Sequence, residues 1–353
     1  MAVNSMEQLS FGVFDHIERS SGSPNLQALY RERLKLLEEY DSAGIFAYHV
    51  AQHHATPLGM APSPNLFLAA AAEHTKRLHL GPLVYLLPLY QPLRLVEEIC
   101  MLDHLSGGRL EVGVGRGVNP FELGFHRIPF YDARNIFHEA LEVVHRGLTS
   151  ERFSFSGKYY QFENVPMELR PLQQPHPDFW YGTITEETAA YAATRGMHMV
   201  SLGPTALAAK ALAAYRRTWK QNNPENLNPH VKSPKIGLQR HVLIADSDKE
   251  AERVGREAFK SFFYNIQKVW ADSGALTTVF PNDYDKLVEV GAFVVGSPAK
   301  VRDELARAAE ITKPNYLVQV FSWGNLTAEQ SLKSFDLFAS RVMPELQKIS
   351  LAA

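Results

Sequence analysis

The feature that most constrains this chain is a rhythm. Apolar runs of strand length alternate along its 353 residues with stretches whose apolar residues recur at helical spacing. The runs are LSFGVFD, IFAYHV, a run beginning near Leu78, RLEVGVGRG, DFWYGT, MHMVSLG, KIGLQRHVLIA and NYLVQVF. Helical patterns follow them at 26–43, at 64–74, up to the Gly-Gly of LDHLSGG, and at 132–148, 185–195, 205–222, 248–269, 298–309 and 327–343. A strand that is followed by a helix pairs in parallel with the next strand, and eight such units predict closure into a (β/α)8 TIM barrel of the α/β class. Barrels of this length fold as one unit, so residues 1–353 are expected to form a single barrel domain.

Two stretches break the rhythm. FSFSGKYYQF alternates aromatic and polar residues around Ser-Gly-Lys and predicts a β-hairpin insertion on the barrel wall. Residues 270–296 mix Gly, Pro and aromatics and predict a long mobile loop before the last strand, acting as a lid. The competing architecture, an open doubly wound sheet, lacks its dinucleotide fingerprint. G-x-G-x-x-G would need glycine at Val118 or at Pro120.

Composition removes several function classes. A net charge of −2 without charge blocks argues against a nucleic-acid or membrane-surface partner. No apolar run is long enough to span a bilayer, and MAVNSMEQLS lacks a basic region followed by an apolar one, so a cytoplasmic location is expected. The single cysteine, Cys100, lies in an apolar helical stripe and reads as a buried hydrophobe.

The candidate site gathers at strand ends. In RLEVGVGRG the period-two alternation puts Leu110, Val112 and Val114 on one face and Glu111, Gly113 and Gly115 on the other. A strand face emptied by glycine lets a ligand or another backbone approach, and Arg116 stands where that strand ends. Glu111 points inward and should pair with an arginine or histidine. Thr183, Thr185 and Thr188 bracket a helix start, which is either an anion site or an ordinary N-cap. With Arg116, they suggest a phosphate seat; the alternative for Arg116 is pairing with Glu122. His53 and His54 occupy the loop after the second strand, where an acid/base role fits better than a metal site, because no HExxH and no nearby carboxylate accompany them.

With these residues in place, the chain resembles the bacterial-luciferase-like flavin-dependent oxidoreductases. The matching stretches are QHH at 52–54, the long block SPNLFLAAAAEHTKRLHLGPLVYLLPLYQPLRLVEEICMLDHLSGGRLEVGVGRG at 63–117, TRG at 194–196 and VMPEL at 342–346. The resemblance implies a usually dimeric barrel that binds FMN, with Arg116, Thr185 and Thr188 at its phosphate. It puts a non-prolyl cis peptide at Leu83–Val84 beneath the flavin ring and a catalytic histidine at His53. Gln52 stands where the family usually has glutamate, Ile184 where the luciferase branch has glutamate, and Gly115 where true luciferases have cysteine. The implied activity is a two-component monooxygenase: reduced FMN from a separate NAD(P)H:flavin reductase reacts with O2 to a flavin hydroperoxide that oxygenates a small, apolar organic substrate. A deazaflavin-dependent dehydrogenase and a non-catalytic flavin-binding protein are the alternatives. No metal is expected.

Overall fold

The computed structural model describes residues 9–20, 25–220, 223–276 and 281–349. Twelve strands are found: β1 (Ser10–Asp15), β2 (Ala47–Val50), β3 (His79–Pro82), β4 (Tyr85–Leu86), β5 (Val112–Gly115), β6 (Arg152–Ser156), β7 (Gln161–Pro166), β8 (Phe179–Thr183), β9 (His198–Ser201), β10 (Ile236–Ile244), β11 (Phe293–Gly296) and β12 (Tyr316–Val320). Ten of them form one sheet in the order β3-β2-β1-β12-β10-β9-β8-β5-β4, with β11 added on β10. Every pairing within it is parallel. A parallel bridge between Leu80 and Leu110 joins β3 to the start of β5 and brings the sheet round into a nearly closed barrel. The predicted α/β barrel is therefore the observed fold.

Local chemistry sets the outer helices. Asn25 caps the helix Leu26–Ser42 by accepting from the Ala28 amide, and Gly44 ends it at φ +78°. Pro92 opens Pro92–Leu105, where Cys100 is fully buried in the apolar stripe. Thr327 and Gln330 form a reciprocal capping box at the start of Ala328–Leu337. The hairpin falls where FSFSGKYYQF predicts it, as the antiparallel pair β6–β7.

The barrel interior is polar at its lower end. Glu111 accepts from His79 Nδ1 at 2.8 Å and from the indole of Trp180, so the expected inward pairing is with a histidine. His49 Nε2 meets the Tyr316 hydroxyl at 2.9 Å, which occupies it far from the loop histidines.

The stretch 270–296 differs from the expected long loop. Its first residues complete the 25-residue helix Asp248–Asp272, Tyr284–Glu289 is helical, and Phe293–Gly296 is β11, registered on His241–Ile244. Residues 277–280 of the expected lid lie outside the described residues. A four-residue buried run carries too little periodicity to be read as a strand, and only the nine-residue length of β10, which runs past β9, makes room for it.

Candidate active site

The floor of the site is made where β4 and β5 meet. The Leu83–Val84 peptide is cis and stands between β3 and β4. Tyr85 and Leu86 then pair with Val114 and Gly115. The glycines of β5 are what permit this contact. A Cβ on Gly113 would lie 2.1 Å from the Pro82 carbonyl oxygen, and one on Gly115 would lie 2.4 Å from Val84 Cγ2. The emptied face thus receives neighbouring chain first, and Leu83, Val84 and Gly115 together line a cavity of about 580 Å³ at the carboxyl ends of the strands.

One pole of that cavity is cationic and hydroxylated. Arg116 follows β5, half-buried, with its guanidinium 4.9 Å from the centre of the Phe130 ring and its Nε donating to the Gly117 carbonyl at 3.2 Å. No carboxylate among the described residues pairs with it. On the adjacent strand, Thr183 ends β8 and Thr185 caps the helix Glu186–Thr194, accepting from the Thr188 amide at 3.2 Å. The Thr188 hydroxyl bonds both the Thr183 hydroxyl and, at 2.7 Å, that of Thr185. The two readings of this stretch coexist: the threonines cap the helix and also cluster three hydroxyls at its N-terminus. Arg134, held by Glu187 at 3.1 Å, stands at the same pole.

The same cavity carries an imidazole–carboxylate pair. His53 Nδ1 lies 3.2 Å from Glu122 Oε1, and Glu122 Oε2 accepts from the His54 amide at 3.1 Å. Asn119 steadies the same carboxylate from 3.0 Å. Burial alone would raise the Glu122 pKa, but the charge and hydrogen bond of His53 and the His54 amide outweigh it and hold the group below its ordinary value. Glu122 therefore pairs with His53 and not with Arg116. Gln52 takes a different task. Its carbonyl accepts from the Leu86 amide and the Tyr90 hydroxyl, both at 3.0 Å, and its amide nitrogen meets His54 Nε2 at 2.8 Å. Burial, then the neighbouring His126, lowers His54 to about 4.

Two further histidines line the cavity and were not reached from sequence. His16 follows β1 and His241 lies on β10; their rings are 6.5 Å apart and nearly parallel, and His16 is 5.7 Å from His53. Phe14, Leu58, Phe262, Ile266, Val269 and Trp270 surround this part, the last four from the helix Asp248–Asp272 that roofs it. Nothing local marks His16 or His241, because each stands singly, with no second histidine or motif beside it. Glu122 lies 69 residues from His53, so its role was equally invisible. Among the described residues no group of three or more His, Cys, Asp or Glu is placed to hold a metal ion, and no helix is long and apolar enough to cross a membrane.

The chain is similar to known proteins over nearly all its length. An uncharacterized protein of Sinorhizobium fredii, y4wF, is 37% identical over 338 residues, covering 95% of this chain and 97% of that protein. The oxygenase component of the flavin-dependent trigonelline monooxygenase of Acinetobacter baylyi is 29% identical over 264 residues, 74% of this chain and 72% of the relative. Among solved structures, the monooxygenase RslO1 from Streptomyces bottropensis superposes with a TM-score of 0.82 at 26% identity, covering 96% of this chain and 99% of its own. The sequence profile of the luciferase-like monooxygenases matches residues 9–312. A parallel barrel with a glycine floor, a cationic pole and a histidine–carboxylate pair on its rim thus sits in a chain that belongs to the luciferase-like monooxygenase family.

Proposed function

We propose that this chain is the oxygenase component of a two-component flavin monooxygenase that uses reduced FMN and O2 to oxygenate a small, mainly apolar organic substrate. The observation that carries the reading is the make-up of one cavity: a guanidinium without a carboxylate partner and clustered hydroxyls end two adjacent strands, and an imidazole held by a buried carboxylate lines the same space. In this reading Arg116, Thr183, Thr185 and Thr188 hold the phosphate, the arginine through charge-assisted bonds and the threonines through hydroxyls at a helix N-terminus. Leu83, Val84 and Gly115 would form the floor for the ring system, Gly115 lacking the Cβ that would strike Val84. Reduced FMN supplies the two electrons that activate O2, one oxygen going to the substrate and the other to water.

The chain's own part is positioning and proton handling. Glu122 accepts from His53 Nδ1, which fixes the tautomer and leaves Nε2 free to take up or return a proton at the reacting oxygen. The roof residues Phe262, Ile266 and Val269 keep water from that region. A partner NAD(P)H:flavin reductase supplies the reduced flavin, consistent with the missing dinucleotide fingerprint and with the oxygenase-component relative. We read residues 1–353 as one barrel domain, working as a homodimer in the cytoplasm. Oxygen uptake with chemically reduced FMN, run across a substrate panel, tests the reading. Uptake that is matched by oxygenated product is expected. Hydride transfer to a deazaflavin without uptake, or tight flavin binding with no turnover of any kind, overturns it.

A further inference from the structure

Five histidines of the described structure are buried: His16, His49, His176, His198 and His241. Three have at least one ring nitrogen hydrogen-bonded within the protein, to Tyr316, to the Pro177 carbonyl, and to Asp178 and the Lys235 amide respectively. His16 and His241 make no hydrogen bond to any described residue, and His16 Nδ1 and His241 Nε2 are buried without a partner. Buried polar groups are almost always satisfied by protein or by water, so two imidazoles side by side in one cavity, neither of them bonded to the protein, suit a bound group that brings its own polar atom. His16 stands next to His53 and His241 next to His16, in the apolar part of the cavity.

We propose that His16 and His241 are the polar subsite of the acceptor substrate, receiving the uncharged carbonyl or hydroxyl oxygen of an otherwise apolar ring compound and so fixing which end of it faces His53. The inference rests on the monooxygenase reading and adds the substrate class to it.

The charge inventory selects a neutral oxygen. The formally charged residues lining the cavity are Arg116, Glu122, Arg134 and Glu187, and all belong to the cationic pole or to the His53 pair. Against His16 and His241 stand Phe14 and Phe262, and Leu58 and Ile266 line the same cavity, with no fixed charge to balance an ionised substrate. Both imidazoles are themselves neutral near pH 7. Burial, then the neighbouring rings of His53 and His241, depresses His16, and burial with Arg240 takes His241 to about 3. A neutral imidazole has one N–H and one lone pair, so it serves a carbonyl or a hydroxyl equally and offers nothing extra to a carboxylate. Gln239, two residues before His241 on β10, shares its strand face and adds an amide to the same wall. The aromatic rings of Phe14 and Phe262 beside the two imidazoles favour a flat or cyclic body over a flexible chain.

The test uses three probes of one shape, cyclohexanone, methylenecyclohexane and cyclohexanecarboxylate, titrated into the full chain loaded with oxidised FMN. Binding is read from tryptophan fluorescence and from the ring-nitrogen NMR signals of the histidines. Cyclohexanone is expected to bind at least about tenfold more tightly than the hydrocarbon, as one or two good hydrogen bonds require, with the carboxylate weakest. The His16 and His241 signals should move with the ketone and stay in place with the hydrocarbon. In the His16→Phe/His241→Phe variant the ketone preference should vanish while hydrocarbon binding persists. Equal affinity for ketone and hydrocarbon, no measurable binding of any probe, immobile ring signals, or a preference that survives the double substitution each overturns the proposal. The wild-type titration and spectra decide even where the variant does not fold. Flavin binding is followed separately by quenching of its own fluorescence: loss of that signal would sink the flavin reading, and the three probes remain readable on flavin-free protein.

Discussion

At the scale of single residues, the site divides into groups whose chemistry is carried locally and groups whose chemistry is supplied from afar. Arg116 is of the first kind. A guanidinium with no carboxylate partner that meets a phosphate makes charge-assisted bonds, and Arg116→Ala should weaken FMN by about 2 kcal/mol, or roughly thirtyfold, in a fluorescence titration. Unchanged affinity would remove the phosphate assignment. His53 is also local, legible from a loop after a strand. Its carboxylate is not: Gln52 suggested that none was present, and Glu122 reaches His53 from 69 residues away on the short helix Pro120–Phe125, a pairing that no short-range pattern encodes. Because Glu122 both orients His53 and accepts from the His54 amide, Glu122→Gln keeps the shape and removes the anion. Turnover should fall by about ten- to a hundredfold with FMN affinity within about twofold of wild type. An equal loss of flavin affinity would make Glu122 a residue of the fold and not of proton handling.

At the scale of elements, β5 is the piece on which the rest of the site is built. Its period-two alternation was visible in sequence, and so was the emptied face. What stands against that face was visible only through the resemblance, because β3, the cis peptide and β4 come to lie beside it only when the sheet pairs. The two glycines should answer differently to a methyl group. At Gly113 the obstacle is backbone, the Pro82 carbonyl, so Gly113→Ala must displace the floor and should cost about 3 kcal/mol or more in urea unfolding. At Gly115 the obstacle is the Val84 side chain, which can be trimmed. Gly115→Ala combined with Val84→Ala should be less destabilised than the sum of the single changes by about 1 kcal/mol. Strict additivity would mean that the two side chains do not meet. The element that sequence missed altogether, β11, illustrates the opposite limit: four residues beside a neighbour 52 positions earlier leave no periodic signature, only a place on β10.

For the whole molecule, the barrel was legible because eight repeats of one pattern reinforce each other, whereas the burial of individual polar groups depends on how the closed sheet is filled. That filling sets the acid stability. His16, His49 and His241 are fully enclosed and depressed chiefly by burial, the last two to about 3, and His54 and His176 are lowered to about 4. In the unfolded chain each returns to about 6.5. Between those values the unfolded state binds protons that the folded state refuses, so the stability these groups leave intact above pH 6.5 is lost as pH falls toward their folded values. One buried carboxyl opposes them. Glu18, raised to about 7 by burial against the bonds it accepts from Gly324 and Asn265, takes up its proton in the folded state first, and its contribution is lost as pH rises through 7. Each proton is worth about 1.4 kcal/mol per pH unit, and the imidazoles outnumber the carboxyl. Stability from urea unfolding should therefore drop by several kcal/mol between pH 6.5 and 5, and replacing Glu18 by Gln should steepen that drop. A flat profile over this range would mean that these histidines titrate freely in the folded barrel, contrary to their enclosure.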